Sequence, residues 1–233
     1  MNLLRSVVSD TLNLLYPNVC VTCGRALPPQ SRYLCTACLY DLPRTNFHRE
    51  HDNPLAMTFW GRVRLEHAAA WFHYFKGSRY PNLIHRMKYM GMKEIGYEMG
   101  KMYARELRDS PFDQSRVIVP VPLHPRKQRK RGYNQSEWIA RGMADVFRIP
   151  LSSGNLVRAV NTRTQTRKSR IERWKNVENV FKVRHPHVLK DQHILLVDDV
   201  VTTGATLESC ASTLLGCPGT KVSLVTLGYA DHW

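Results

Sequence analysis

At 233 residues and 43% hydrophobic content, the chain has material for one well-buried core with a small appendage rather than two full domains. Its 34 lysines and arginines against 19 acids leave a formal charge of +15, enough to attract phosphates over a screening length of about 8 Å at physiological salt. Acidic partners are expected, whether a phosphorylated small molecule, a nucleic acid or both, between which net charge does not choose. No run approaches the roughly 18 apolar residues of a membrane span, so a soluble cytoplasmic protein is the default expectation.

The amino-terminal residues Leu3, Leu4, Val7, Val8, Leu12, Leu14 and Leu15 are interrupted by Arg5, Asp10 and Asn13. That stretch lacks the apolar core and small-residue cleavage site of a signal peptide and reads as a short docking helix. Two C-x-x-C pairs follow, Cys20 with Cys23 and Cys35 with Cys38, separated by eleven residues. Each pair can close a tight knuckle that offers two thiolates to one face, and two knuckles supply the four ligands of a closed structural zinc site. Two disulfides or a redox C-x-x-C are the competing readings, and duplicated knuckles in a cytosolic chain weaken both. A segment this small cannot fold on apolar burial alone, so the metal would act as its core, contributing on the order of 10 to 16 kcal/mol. Residues 1–52 are assigned to the helix and zinc module, and residues 53–233 to the domain that follows.

Residues 67–75, rich in aromatic and small side chains, predict the first strand, with Lys76, Gly77 and Ser78 as its turn. Pro81 opens a helix whose apolar face is Leu83, Ile84, Met87 and Met90; Gly91 breaks it before a second helical pattern from Ile95 to Leu107. Histidines 48, 51, 67, 73 and 85 show no spacing tied to a second ligand and take surface or packing roles. Val117, Ile118, Val119 and Val121 mark another buried strand, ended by Pro120 and Pro122, which cannot donate to a ladder. A basic loop follows, with Arg126, Lys127, Arg129, Lys130 and Arg131, and then a helix carrying Ile139, Met143, Val146 and Phe147. Asn134 and Glu137 resemble its capping arrangement. The basic loop leaves the carboxyl end of a strand, where it either contacts pyrophosphate or a nucleic-acid backbone or is a solvated face. From Arg158 to Lys175 there are seven basic residues and one acid. This is either a phosphate-seeking lid that excludes water or a plain surface loop. Phe181 to Val183 then re-enters the sheet.

Residues 194–206, ILLVDDVVTTGAT, hold the most specific pattern in the chain. Ile194 to Val197 suit a strand covered on both faces, which puts Asp198 and Asp199 at its carboxyl end. Ligands of open α/β sheets sit at that edge, and paired carboxylates there can accept hydrogen bonds from the two hydroxyls of a ribose. Thr202, Thr203, Gly204, Ala205 and Thr206 come next. The glycine permits a tight turn with inward amides, and the positive end of the next helix adds roughly 0.3 to 1 kcal/mol for a bound anion. That helix shows in the spacing of Leu207, Cys210, Ala211, Leu214 and Leu215 and ends at Gly216 and Pro218. Strand Val222 to Leu227 completes a βαβ unit with parallel strands. A plain acidic turn requires neither paired carboxylates nor three threonines around a glycine, and no Gly-Lys-Ser/Thr marks an ATP-binding loop. The order describes a pocket for a phosphorylated sugar. Cys210 reads as a small core residue and Cys217 as an inert thiol.

This run closely resembles the phosphoribosyl pyrophosphate signature of the type I phosphoribosyltransferases. The resemblance implies that Asp198 and Asp199 take the ribose 2′ and 3′ hydroxyls and that Thr202, Thr203, Gly204, Ala205 and Thr206 hold the 5′-phosphate. Together with the four-cysteine module, VPVPLHPRKQRKRGYNQS and RTQTRKSRIERWKNVENVF, it resembles the ComF family over nearly the whole chain. Arg131, Gly132, Asn134 and Gln135 match that family's Arg-Gly-aromatic-Asn-Gln stretch, and Lys88, Tyr89 and Gly91 its Lys-Tyr-x-Gly turn. Thr164, Gln165, Arg173, Asn176 and Phe181 match the later loop and its exit, although Thr164 and Gln165 adjoin where the family has a Thr-x-x-Gln order. The implied fold is α/β, a type I phosphoribosyltransferase-like parallel sheet flanked by helices, with the small zinc module at its amino terminus. The implied function is binding of phosphoribosyl pyrophosphate with magnesium, in support of single-stranded DNA handling during natural transformation. A DNA translocase or recombination protein is the implied partner. Lys88 and Arg131 are candidates for the pyrophosphate side, and no residue identifies an acceptor. The enzymatic alternative is a phosphoribosyltransferase of salvage metabolism.

Overall fold

The computed structural model describes residues 18–28, 30–159 and 180–230. The expected amino-terminal helix lies outside these residues, as do Thr164, Gln165, Arg173, Asn176 and most of the basic segment that contains them.

The strands are β1 (Ala68–Tyr74), β2 (Val117–Pro120), β3 (Leu156–Arg158), β4 (Phe181–Val183), β5 (His193–Val201) and β6 (Lys221–Ala230). The helices are α1 (Thr36–Tyr40), α2 (Pro54–Met57), α3 (Pro81–Tyr89), α4 (Lys93–Glu106), α5 (Pro125–Arg131), α6 (Gln135–Phe147), α7 (Pro186–Leu189) and α8 (Ala205–Leu215). Four strands form one sheet in the order β1-β6-β5-β2, and every pairing in it is parallel. Its two central strands carry the apolar run Ile194–Val197 and the mainly apolar run Val222–Leu227, in which Ser223 and Thr226 are also buried. Those runs are buried on both faces, as a parallel sheet requires. The expected βαβ unit is β5-α8-β6, with β5 and β6 in parallel register from His193↔Lys221 onward.

Four local expectations are corrected. Phe181 to Val183 does not join the main sheet; β4 pairs antiparallel with β3 in a separate ribbon. With only three residues each, these strands close the two ends of the intervening segment on each other, and Arg158 lies over the Phe181 ring at 5.5 Å. The basic stretch after β2 is the helix α5 rather than a loop. Pro125 opens it, the His124 ring nitrogen accepts from the Arg126 amide at 3.2 Å, and Gly132 closes it at φ 80°. Glu137 does not complete a capping box. Asn134 alone caps α6, accepting from Ser136 N at 3.2 Å, while Glu137 pairs with Arg141 at 2.7 Å. Finally, β5 does not stop at Val197 but runs on to Val201, because β6 continues beside it.

Helices α4 and α6 touch backbone to backbone. A Cβ on Gly142 would stand 2.0 Å from the Tyr97 carbonyl oxygen, so only glycine permits this approach. The contact fixes α6, whose first turn faces the carboxyl end of β5. At the other edge, residues 43–45 run antiparallel along β1, with Thr45 N donating to Trp71 O at 3.0 Å and His73 N to Pro43 O at 2.8 Å. Asn53 is buried and caps α2. Its amide nitrogen also donates to the Phe47, Glu50 and Ala68 carbonyls, which pins the segment leading into β1. Among the described residues, no helix is long and apolar enough to cross a membrane.

Candidate functional site

A crevice opens where β2 leaves the sheet. The β2–β5 ladder ends at Pro120↔Val197, and the last bond across it runs from Val121 N to Val197 O at 2.9 Å. Pro122 has no amide to prolong the ladder, and the chain turns outward into α5. On the other side β6 still pairs with β5 through Asp198↔Thr226 and Val200↔Gly228. Asp198 and Asp199 therefore stand on firmly held backbone beside an opened edge, the position where α/β sheets bind ligands.

Asp198 Oδ1 accepts from Ser136 Oγ at 2.7 Å and from the Asp199 amide at 2.8 Å. Asp199 Oδ2 lies 3.0 Å from Lys88 Nζ, with only 13% of the aspartate side chain and 22% of the lysine exposed. Withdrawal from water and the adjacent Asp199 charge push the Asp198 carboxyl up to about 7, against the pull of Ser136, the backbone and Lys88. Near neutral pH Asp198 thus exchanges its proton readily. It can both donate to and accept from a diol.

Lys88 reaches Asp199 from α3, and Arg131 at the end of α5 shares a cavity with it. Tyr89, next to Lys88 at the end of α3, lies under the Arg131 guanidinium at 5.0 Å. Arg131 Nη1 donates to Gln135 Oε1 at 2.9 Å. Tyr133 hydrogen-bonds the Met87 carbonyl, tying the segment after α5 to α3. Between α3 and α5 lies a cavity of about 440 Å³ lined by Lys88, Tyr89, Gly91, Lys127, Lys130 and Arg131. In this arrangement Lys88 engages the acidic pair and also faces the basic cavity.

Beyond Val201 the chain enters the threonine loop. Gly204 is the N-cap of α8 at φ 76° and brings no side chain of its own to cap the amides of the first turn. Thr202, Thr203, Ala205 and Thr206 are exposed around it, whereas Gly204 is buried. Its cover is Phe59: a Cβ on Gly204 would meet two ring carbons at 3.0 Å. Arg62 donates to the Thr203 carbonyl at 3.3 Å and pairs with Glu208 in the first turn of α8.

The four cysteines of the amino-terminal module also come together. Their sulfurs all lie within 4.8 Å of one another, with Cys23 and Cys35 at 3.7 Å. A zinc tetrahedron with bonds of about 2.3 Å has sulfur–sulfur edges near 3.8 Å, so the set fits a Cys₄ site. All four are free thiols gathered at one point rather than paired as two bridges. Burial opposes ionisation of Cys20, but amide hydrogen bonds led by that of Cys35 outweigh it and bring the thiol down to about 6. Burial and the surrounding thiols push Cys38 up to about 12. A zinc ion held here would displace the thiol protons of its ligands. The module rests on the main fold through Cys38, whose carbonyl accepts from Tyr80 Oη at 2.9 Å and whose sulfur lies 4.0 Å from Arg79 Nη1. Cys210 and Cys217 are buried elsewhere.

The model of the phosphoribosyl transferase domain matches residues 96–232. The chain belongs to that family. Among curated proteins it is similar to the DNA utilization protein YhgH of Salmonella typhimurium, 31% identical over 137 residues, which are 57% of this chain and 60% of that one. Competence protein F of Haemophilus influenzae is 29% identical over 137 residues, with the same two shares. Competence protein ComFC of Bacillus subtilis is 30% identical over 132 residues, 57% of this chain and 52% of that one. These relatives bear out the ComF-family resemblance, and the chain spans about 60% of the length of the enteric and Haemophilus proteins.

Three contributors to the site were not singled out from the sequence. Ser136 was legible as part of the helix start after the basic stretch, but nothing in its spacing gave the bond to Asp198. Phe59 and Arg62 carry no local signal, since Arg62 and Glu208 are 146 residues apart in the chain.

Proposed function

We propose that this protein binds phosphoribosyl pyrophosphate, with magnesium, in the crevice beside β5, and supports the handling of single-stranded DNA during its uptake. It would work in the cytoplasm beside a DNA translocase or recombination protein. One observation carries the reading: a carboxylate pair at an opened sheet edge leads directly into an uncapped helix start ringed by exposed threonines. Asp198 and Asp199 would take the ribose hydroxyls, the Thr202–Thr206 loop the 5′-phosphate, and Lys88 with Arg131 the pyrophosphate. Bound magnesium would neutralise charge on the pyrophosphate oxygens. The competence and DNA utilization names of the relatives, together with the charge of +15, support the link to DNA. Lys127 and Lys130 beside Tyr89 combine cations with an exposed ring, the pairing that single strands favour.

A catalytic reading draws on the same basic cavity. Departure of pyrophosphate from the anomeric carbon, as an acceptor forms its bond there, needs cations on the leaving side, and four of the six residues lining the cavity are lysine or arginine. Titration calorimetry with phosphoribosyl pyrophosphate and magnesium tests binding. Asp199→Asn is expected to weaken affinity about tenfold or more without unfolding the chain; equal affinities would reject the diol assignment. Pyrophosphate release measured across bases, nucleotides and oligonucleotides separates transfer from binding.

A further inference from the structure

The residues around the phosphate loop include a cation from outside the βαβ unit. Arg62 follows α2 in the segment that enters β1. Its Nη1 donates to the Thr58 carbonyl at 3.1 Å and to the Thr203 carbonyl at 3.3 Å, and its Nη2 meets the Glu208 carboxylate. The guanidinium lies 5.9 Å from the centre of the Phe59 ring, the ring that covers Gly204. Both side chains of the ion pair are about one-third exposed, 36% for Arg62 and 31% for Glu208, so the pair is reachable from solvent. A carboxylate in the first turn of α8 sits where the helix field favours an anion, as would any phosphate held by the loop.

We infer that Arg62 is a phosphate-positioning residue and that Glu208 is its built-in competitor. The inference rests on the reading of the Thr202–Thr206 loop as the 5′-phosphate site. Without ligand, the guanidinium is neutralised by Glu208 and braces the loop through the Thr203 carbonyl. When a phosphate dianion settles on the amides of α8, it offers Arg62 a doubly charged acceptor in place of a singly charged one. The guanidinium keeps its carbonyl bond and redirects its second arm from Glu208 to the phosphate. Affinity for the phosphorylated end of the pentose is thus set partly by a side chain 141 residues away in the chain from Thr203. The ligand class is a sugar 5-phosphate.

The test is titration calorimetry of the full chain with ribose 5-phosphate, phosphoribosyl pyrophosphate and inorganic pyrophosphate. Arg62→Ala should weaken both sugar phosphates by the same factor, about tenfold or more, and leave pyrophosphate unchanged. Arg62→Lys should recover part of the loss. Glu208→Gln should tighten both sugar phosphates by about two- to fivefold, because the competing charge is gone. A purely structural brace would make Arg62→Ala and Glu208→Gln weaken binding together, so opposite signs carry the inference and equal signs overturn it. Circular dichroism melts identify a variant that has not folded, and the Glu208→Gln arm still decides the matter if Arg62→Ala fails. Wild-type protein that ignores ribose 5-phosphate would overturn the 5′-phosphate reading and this inference with it. Wild-type binding that Arg62→Ala leaves unchanged would overturn this inference alone.

Discussion

Asp198→Asn should make the protein more stable above neutral pH while damaging its site. In the folded chain the carboxyl is moved from 3.8 to about 7 by its withdrawal from water and by Asp199. An unfolded aspartate titrates near 3.9. The folded state therefore carries no penalty from this group below about pH 4. The penalty grows as pH rises, because the unfolded chain releases the proton first, and it is complete above about pH 7. At 1.36 kcal/mol per pH unit the ceiling is about 4 kcal/mol. Lys88 sits 3.0 Å from Asp199 and loses part of its acidic surroundings in the variant, so a gain of about 1 to 3 kcal/mol is expected at pH 8. Asparagine can still accept from Ser136 Oγ and the Asp199 amide through its oxygen, which keeps the geometry. Urea melts of wild type and variant at pH 4.5, 6 and 8 read the difference, and shared titrations, including those of the cysteine module, cancel in it. The two curves should lie closest at pH 4.5, where only about a quarter of the full penalty has built up, and separate as pH rises. A constant offset, or a variant less stable at pH 8, would refute the account of Asp198 as a carboxyl held in protonatable form by its neighbours.

Gly204→Ala should cost about 1 to 3 kcal/mol of stability, since the position has φ 76° and the new methyl would meet the Phe59 ring at 3.0 Å. Its affinity for sugar phosphates should fall further than stability alone explains; an unaffected melt would mean that Phe59 does not cover the loop. Native mass spectrometry should find one zinc per chain in wild type and a weakened complex in Cys38→Ser, with the chelated protein becoming protease-sensitive between residues 18 and 40. Metal-free wild type prepared with ample zinc would argue against the four-sulfur site. Replacing Lys127, Lys130 and Arg131 together by alanine should reduce the slope of log affinity against log salt for single-stranded DNA by about 2, at about 0.7 for each phosphate left without its cation. An unchanged slope would move any strand to another face.

What the sequence made legible was local, and the reason is physical. The run from Ile194 to Thr206 places its own strand, carboxylates, turn and helix start, because each step depends on neighbours within one or two turns. The same holds for the cysteine pairs, where a knuckle is a property of four consecutive residues. The errors arose where a distant partner decides. β5 outran its apolar stretch because β6 continued beside it, and β4 took β3 as its partner instead of the main sheet. The site divides along the same line. Asp198 could be assigned to a strand end, but its carboxyl is raised by burial, which only packing supplies, and by Asp199, while Ser136 from α6 and Lys88 from α3 pull the other way. The threonine loop could be assigned to an anion, but its cover, Phe59, and its outside cation, Arg62, come from a segment with no periodic pattern and no motif. Such contacts are fixed by the packing of residues 43–62 on β1 and the anchor at Asn53, so they exist only once the sheet has formed. That dependence gives the amino-terminal segment a role beyond carrying the four-cysteine module: residues ahead of β1 cover the loop that the final βαβ unit begins.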